Sequence, residues 1–363
     1  MITSKTCLVL FKKCFRPYIG ISFFFLLIPL CIIAQPAAEK GLPFITNYYA
    51  KDYQASPQNW SITEDDRGIM YFGNSYGLLE YDGVKWRLIT SGVNSIVRCL
   101  DKDKNGHIYY GGYGDFGYMA PDSLGQTQFH SLLKFVPAAY RNFNDVWTVH
   151  VTEQGIYFQS REHIFRLRQT NSGTKENWEV KVWNSPNKFM FAFYFNDTYF
   201  VHQQGVGLLK MINDSLILVP GSEFMAKERV QVMLPYTSPG DKGTEQGTKQ
   251  YLLGAFYSGL YLYNGTSFAR FASEADSLIK NNTLYKGTVL QDGSYALATA
   301  GKGIIIVDKQ GKKIQQLNRE VGLQDESVYS IYTDRKGNLW MALDNGISRV
   351  ESTSTVARLR MTG

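Results

Sequence analysis

Residues 327–350 read SVYSIYTDRKGNLWMALDNGISRV and contain the clearest local pattern in the chain. Apolar side chains alternate with polar ones up to the turn at 334–337, a second alternating run passes through Trp340, and a third follows the glycine loop at 344–346. Alternation with a period of two is typical of β-strands, and polar turns that contain glycine join antiparallel strands. The stretch therefore predicts three short antiparallel strands in succession.

This three-strand unit recurs along the 363-residue chain. Residues 59–81 and 95–118 are clear copies, and four weaker copies lie between residues 146 and 308. One residue opens the third strand of each copy and marks the repeat: Gly77, Gly117, His163, Gly207, Gly259, Gly303 and Gly346. Successive markers are 40 to 52 residues apart, which makes seven repeats of similar length.

Repeats of this length that consist of strands are typical of propeller blades. Leucine-rich repeats are shorter, and helical repeats show a period of 3.6 residues. Several copies add a fourth, less regular strand, so we predict an all-β, seven-bladed β-propeller of four-stranded antiparallel blades over residues 56–351. In the preceding segment, 35–55, we hypothesise that residues 44–49 pair with the last blade and close the ring. Residues 352–363 form a short C-terminal tail.

The N-terminus has the pattern of a signal peptide. Residues 1–34 carry four cations and no acid, followed by an apolar run at 19–34 that is short for a membrane span. We therefore predict an exported, periplasmic protein with no retained span, or with an N-terminal membrane anchor if the leader is not cleaved. Cleavage would lower the formal net charge from +6 to +2, and such a chain has no basic surface for nucleic acid.

Cysteine content excludes a disulfide-stabilised fold. Three of the four cysteines lie in residues 1–34, and Cys99 remains in a strand-like stretch. We expect Cys99 to be a small buried residue, so that stability depends on packing.

In a propeller, the loops between second and third strands converge on one face around the channel mouth. These loops carry aromatic, charged and amide side chains that suit an oligosaccharide or another polar small ligand. The candidate ligand-binding residues are Tyr76, Tyr113, Asp115, Arg161, Gln204, Tyr257, Lys302 and Asp344. The alternative is that turn chemistry alone selects these residues and that the tyrosines are half-buried between blades. We expect Trp60, Trp147 and Trp340 to pack between blades rather than to bind sugar.

No catalytic, metal or cofactor site is predicted. The five histidines lack ligand spacing, and the Asp-x-x-Gly turns lack the further acids that a calcium loop needs. His202 and Asp115 are a pair that a channel could still bring together, because spatial adjacency is not visible in the sequence. Two alternatives to a binding module stay open. One is a glycoside hydrolase or lyase with two channel carboxylates, and the other is a scaffold that binds a protein partner or forms a homodimer.

Residues 322–350 (GLQDESVYSIYTDRKGNLWMALDNGISRV) resemble the two-component regulator propeller repeat, with its GL, D-x-x-G-N-L-W and glycine-led strand. Residues 58–86 and 108–118 are similar to the opening of the same family's sensors. The resemblance implies a non-enzymatic sensor region outside the cytoplasmic membrane, where many members sense glycans. Members continue into a triple-tyrosine domain, a membrane span, and a kinase or helix-turn-helix output.

This sequence contains none of those output elements after Val350. We therefore interpret the chain as a truncated form of such a regulator, lacking kinase and DNA-binding output. The alternative is a free periplasmic module that passes its ligand state to another protein.

Overall fold

The computed structural model describes residues 43–92, 96–170, 177–238 and 250–351. The predicted signal peptide at 1–34, most of the insertion loop at 238–249 and the tail at 352–363 lie outside these residues. Within the described ranges, no helix is both long and apolar enough to cross a membrane.

The described chain forms seven four-stranded antiparallel sheets, as the repeats predict. It begins with β1 (Ile45–Tyr48). Blade 1 contains β2 (Asn59–Glu64), β3 (Met70–Asn74), β4 (Gly77–Tyr81) and β5 (Trp86–Ile89). Blade 2 contains β6 (Val97–Lys102), β7 (Ile108–Gly112), β8 (Phe116–Pro121) and β9 (Thr127–Ser131). Blade 3 contains β10 (Val146–Thr152), β11 (Gly155–Ser160), β12 (His163–Gln169) and β13 (Trp178–Asn184).

The remaining blades follow the same order. Blade 4 contains β14 (Phe189–Phe195), β15 (Thr198–Gln203), β16 (Gly207–Ile212) and β17 (Ser215–Leu218). Blade 5 contains β18 (Val230–Tyr236), β19 (Gln250–Ala255), β20 (Gly259–Tyr263) and β21 (Phe268–Arg270). Blade 6 contains β22 (Leu284–Val289), β23 (Tyr295–Thr299), β24 (Ile304–Val307) and β25 (Lys313–Leu317). Blade 7 contains β26 (Val328–Thr333), β27 (Leu339–Leu343), β28 (Ile347–Val350) and β1.

Helical segments are short and lie between strands. The α-helices are α1 (Ala50–Tyr53) and α2 (Asp276–Asn281), and the 3₁₀ turns are Leu133–Phe135, Ala138–Tyr140, Glu223–Met225 and Arg319–Val321.

The first strand of every blade is its innermost strand, and these seven strands surround a central channel. The core lies between neighbouring blades. Trp340 of blade 7, for example, packs with Phe72 and Tyr81 of blade 1. Fully burying one such apolar side chain contributes roughly 1.5–3 kcal/mol.

Strand β1 closes the ring by pairing with β28, in a register that places Ile45 opposite Val350 and Tyr48 opposite Ile347. The Ser348 hydroxyl donates to Asn47 Oδ1 at 2.6 Å, and Asn47 Nδ2 donates to the Gly322 carbonyl at 2.9 Å. The edge strand hypothesised at residues 44–49 is therefore present as Ile45–Tyr48, and the first and last strands of the described chain share one blade.

The Asp-x-x-Gly sequences form hairpin turns. Asp334 Oδ1 accepts the backbone N–H groups of Lys336 and Asn338 at 2.9 and 2.8 Å, and Trp340 Nε1 donates to Asp334 Oδ2 at 2.9 Å. Gly337 has φ +82°, the left-handed region that glycine adopts without strain. The carboxylate is thus occupied by the turn itself.

Candidate functional site

The loops between second and third strands contain all eight predicted ligand-binding residues, so these residues share one face of the propeller, here called the mouth face. Each innermost strand starts at this face, because the loop that enters the next blade emerges there too. The first residues of the innermost strands therefore lie near the mouth, and later residues lie deeper in the channel.

The central channel holds a cavity of about 280 Å³. Side chains from the innermost strands of all seven blades line it. A cavity of this size, with polar groups on its wall, can hold water or part of a ligand.

A β-bulge occurs at the same place in every blade. The pairing of the innermost strand with its neighbour skips one residue near the strand's start, or two in blade 4. The skipped residues are Trp60, Arg98, Trp147, Met190 with Phe191, Gln231, Tyr285 and Tyr329. The residue before each bulge is at most 1% exposed: Asn59, Val97, Val146, Phe189, Val230, Leu284 and Val328.

These bulges explain why large side chains meet at the channel. An extra residue bends the strand and changes the direction of its side chain. Apart from Met190, every skipped residue lines the cavity. The buried residue that precedes each bulge fixes the start of the strand within the core. The side chains at the seven bulges are therefore held in similar positions around the channel axis.

Six of these side chains form a closed ring of contacts, here called the mouth ring: Trp60, Arg98, Trp147, Phe191, Tyr285 and Tyr329. Trp60 stacks on Tyr329 with centroids 4.8 Å apart and planes at 7°, and Tyr329 contacts Tyr285 at 5.0 Å. Phe191 lies 6.5 Å from Tyr285 and 6.1 Å from Trp147.

Arg98 completes the mouth ring. Its guanidinium carbon lies 3.8 Å from the Trp60 ring centroid and 5.2 Å from that of Trp147, and its Nε donates to Asp145 Oδ1 at 2.8 Å. Cation–π contacts of this kind contribute roughly 0.5–2 kcal/mol. The ring side chains are half-buried, so their edges and faces remain available to a ligand.

Arg161 extends the mouth ring with a second cation. Its guanidinium carbon is 4.6 Å from the Trp147 centroid and 4.9 Å from that of Phe191, and it donates to the carbonyls of Phe189 and Met190. Burial lowers the pKa of Arg161 to about 10, which leaves it charged at neutral pH. Within the described residues, no carboxylate forms an ion pair with it.

Below the mouth ring the channel is polar. Lys286 of β22, Asp101 of β6 and His150 of β10 line the cavity. Burial raises the pKa of Asp101 to about 6 and lowers that of His150 to about 4, so His150 is neutral at pH 7. Burial also lowers the pKa of Lys286, while Cys99 and Asp101 raise it.

Two of the eight predicted residues contact the mouth ring. Arg161 does so directly, and Asp344 Oδ1 accepts the Tyr329 hydroxyl at 3.1 Å and Gln58 Nε2 at 2.7 Å. Tyr113 forms a backbone bridge with Asp145, the partner of Arg98.

The other predicted residues lie further out on the mouth face. Tyr76 and Tyr257 are exposed, as are Gln204 and Lys302. Asp115 accepts the hydroxyls of Tyr110 and Ser131 at 2.9 and 2.5 Å. These residues form a rim outside the mouth ring.

The tryptophan prediction is wrong for Trp60 and Trp147, which line the channel rather than the space between blades. The bulge is the physical reason. Simple alternation assigns both side chains to the space between blades, but the bulge turns them toward the channel. The prediction is confirmed for Trp340, which is 2% exposed between blades 7 and 1. A signal was present in the sequence: in six of the seven blades, a large aromatic or polar residue directly follows the first buried residue of the innermost strand.

His202 and Asp115 do not meet across the channel. His202 is fully buried on β15, where its Nε2 bonds to the Met225 carbonyl at 2.9 Å, and neither residue lines the cavity. Cys99 is a buried free thiol, as predicted, and burial raises its pKa. Of the described residues, Asp101 contributes the single carboxylate in the channel lining, whereas a glycoside hydrolase needs two.

The last repeat carries a recognisable family pattern. Residues 322–345 match the two component regulator propeller family. The match covers the GL and D-x-x-G-N-L-W positions of blade 7 and confirms the resemblance of this repeat. No curated protein matches the chain at a significant level.

Solved extracellular domains of proteins described as one component and two component systems share the fold. One is the extracellular domain of a protein described as a one component system from B. thetaiotaomicron, with a TM-score of 0.62 and 16% identity over 84% of this chain and 39% of that one. Another is the extracellular domain of a protein described as a hybrid two component system from the same organism, with a TM-score of 0.60 and 17% identity over 85% of this chain and 42% of that one. The chain thus spans about two fifths of the length of these domains.

Virginiamycin B lyase from Staphylococcus aureus is similar in fold as well, with a TM-score of 0.59 and 12% identity over 85% of this chain and 98% of that one. At these identities the likenesses show a shared β-propeller fold.

Proposed function

We propose that this chain is an extracytoplasmic ligand-binding propeller, the sensor region of a two-component or one-component regulator, and that it binds a polar ligand such as an oligosaccharide at the channel mouth. The observation that carries the proposal is the mouth ring: five aromatic side chains and Arg98, held half-buried at similar positions by six of the seven bulges.

The chemistry of the mouth ring suits a sugar. Tryptophan and tyrosine present a flat apolar face for stacking and a polar atom for hydrogen bonding. Arg98 and Arg161 supply further donors, and the Tyr329 hydroxyl is oriented by Asp344. Because contacts among the ring members hold these side chains in place, little conformational entropy is lost when a ligand binds.

The rim offers additional contacts. Tyr76, Tyr113 and Tyr257 are 60, 48 and 59% exposed on the mouth face. A ligand longer than one sugar would reach from the mouth ring to these tyrosines. An extracytoplasmic location is supported by the leader-like residues 1–34 and by the similarity to extracellular domains.

The test is a thermal-shift screen of the purified chain against neutral and acidic oligosaccharides and peptides, followed by calorimetry of each compound that stabilises the fold. A ligand at a hundredfold excess over its dissociation constant stabilises by about 2.7 kcal/mol. Trp147→Ala should weaken binding at least tenfold, because it removes a stacking face that lies beside Phe191, Arg98 and Arg161 at the channel mouth.

Tyr49→Ala is the matched control. Tyr49 is 49% exposed beside β1, away from the channel, so its removal should leave affinity unchanged. A folded chain that no compound stabilises, or a ligand that Trp147→Ala binds as well as the native chain does, would contradict the proposal.

A further inference from the structure

The channel below the mouth ring contains a cation, Lys286, that is attracted by the Asp101 carboxylate but forms no direct ion pair with it. Lys286 lies on β22 directly after the bulge residue Tyr285, and its side chain borders the cavity. Protein surrounds the channel on all sides, yet the side chain remains accessible from the cavity. Among the described residues, the Lys286 ammonium forms neither a hydrogen bond nor an ion pair.

The nearest acid in the channel is already occupied. Asp101 Oδ2 accepts the Val151 N–H at 2.8 Å, and Oδ1 accepts the Lys102 N–H at 2.8 Å. Asp145, near the mouth, is paired with Arg98. Burial lowers the pKa of Lys286 more than Asp101 raises it, so the accessible ammonium is incompletely compensated and is a candidate for ligand binding.

Cations outnumber acids in the channel lining. Among the described residues, Lys286 and Arg98 are the cations that line the cavity, and Asp101 is the one carboxylate there. The Asp101 oxygens already accept backbone N–H groups, whereas the Lys286 side chain is accessible from the cavity.

We infer that the channel interior binds an oxyanion group of the ligand, a carboxylate or a sulfate ester, with Lys286 as its counter-charge and Arg98 as a second cation in the lining. The inference rests on the proposed function, since the rest of the ligand would stack on the mouth ring above. It specifies the ligand class as an acidic sugar whose charged group points into the channel.

The experiment compares glucuronate, glucose 6-sulfate and glucose by calorimetry at constant ionic strength, with inorganic sulfate as a fourth probe. Lys286→Met removes the charge at similar length, and Lys286→Gln is a second uncharged variant. Lys312→Met is the matched control, because Lys312 is exposed in blade 6 outside the channel.

We expect one of the two charged sugars to bind at least tenfold more tightly than glucose, and the group it carries identifies the source of the anion. Both Lys286 variants should abolish that preference, and Lys312→Met should retain it. If glucose binds as tightly as the charged sugars, or if the Lys286 variants keep the preference, the inference is overturned while ligand binding at the mouth ring stands.

If no sugar binds, the melting temperatures of the native chain and of Lys286→Met in inorganic sulfate still test the anion site. Sulfate stabilises most proteins nonspecifically, and this effect is equal in the native chain and in Lys286→Met. An extra rise in melting temperature in the native chain supports the anion site, even though the sugar proposal has then failed. Equal shifts in both chains overturn it.

Discussion

The guanidinium of Arg98 lies 3.8 Å from the ring centroid of Trp60, so a side chain of blade 2 covers an aromatic face of blade 1. The same group contacts Trp147 of blade 3 and pairs with Asp145, which precedes that blade. The side chains of Arg98 and Asp145 are 16 and 17% exposed. One residue thus links three successive blades at the channel mouth.

The Arg98–Asp145 pair should be strongly coupled. We expect a double-mutant cycle with Arg98→Met and Asp145→Asn, measured by urea unfolding, to give a coupling energy of about 1–3 kcal/mol, because each single change leaves a largely buried polar group unpaired. The Arg87–Glu80 pair, where Arg87 is 48% exposed, should give less than about 1 kcal/mol. Equal coupling in both pairs would show that burial does not strengthen the Arg98 pair.

Lys286→Met should raise the melting temperature of the ligand-free chain by a few degrees. Burial lowers the pKa of Lys286 more than the Asp101 carboxylate raises it, so the charge carries a net desolvation cost that an apolar side chain of similar length removes. Differential scanning calorimetry of the native chain, Lys286→Met and Lys312→Met measures this directly. A lower melting temperature in Lys286→Met would mean that Lys286 is compensated in the native fold.

Asp101 should make stability depend on pH. Burial raises its pKa from the unfolded value of 3.8 to about 6, so the folded state holds this proton more tightly. The resulting stabilisation is fully present below pH 3.8 and is lost as the pH rises through 6, by at most about 3 kcal/mol. The Asp101→Asn side chain does not titrate, so this variant lacks the pH-dependent loss of stability that Asp101 causes.

Urea unfolding of both chains between pH 4 and pH 7 is the corresponding measurement. The free energy of unfolding of Asp101→Asn should increase relative to that of the native chain as the pH rises. A difference between the two chains that stays constant over this range would argue against a raised pKa for Asp101.

Ring closure should depend on Asn47. Its side chain accepts the buried Ser348 hydroxyl and donates to the Gly322 carbonyl, so Asn47→Ala removes both bonds and leaves the Ser348 oxygen only its 3.3 Å bond from Gln324 Nε2. We expect a loss of about 1–3 kcal/mol in unfolding free energy and faster proteolysis near the N-terminus. Asn345→Ala, in the exposed loop of the same blade, serves as the control and should have little effect.

Much of the fold was predictable because strand repeats are a local property. Alternation in 327–350 and the glycine turns predict strands and hairpins without knowledge of distant residues. The loops that carry Arg161 and Asp344 were assigned to one face by connectivity alone. In the structure, Arg161 and Asp344 contact the mouth ring, whereas Gln204 and Lys302 lie on the rim. A residue's place in its loop predicts the face of the propeller but not the distance of its side chain from the channel axis.

The amino-acid sequence by itself determined seven repeats, their four-stranded blades and the face on which the connecting loops emerge, since each depends on short-range periodicity. Only the tertiary structure decided that Trp60 and Trp147 line the channel and that Lys286 lies inside it. The physical reason is that a bulge redirects one side chain locally, but its new surroundings are created by blades up to 270 residues away, as in the stack of Trp60 on Tyr329. Contacts of that separation exist only after the ring has closed.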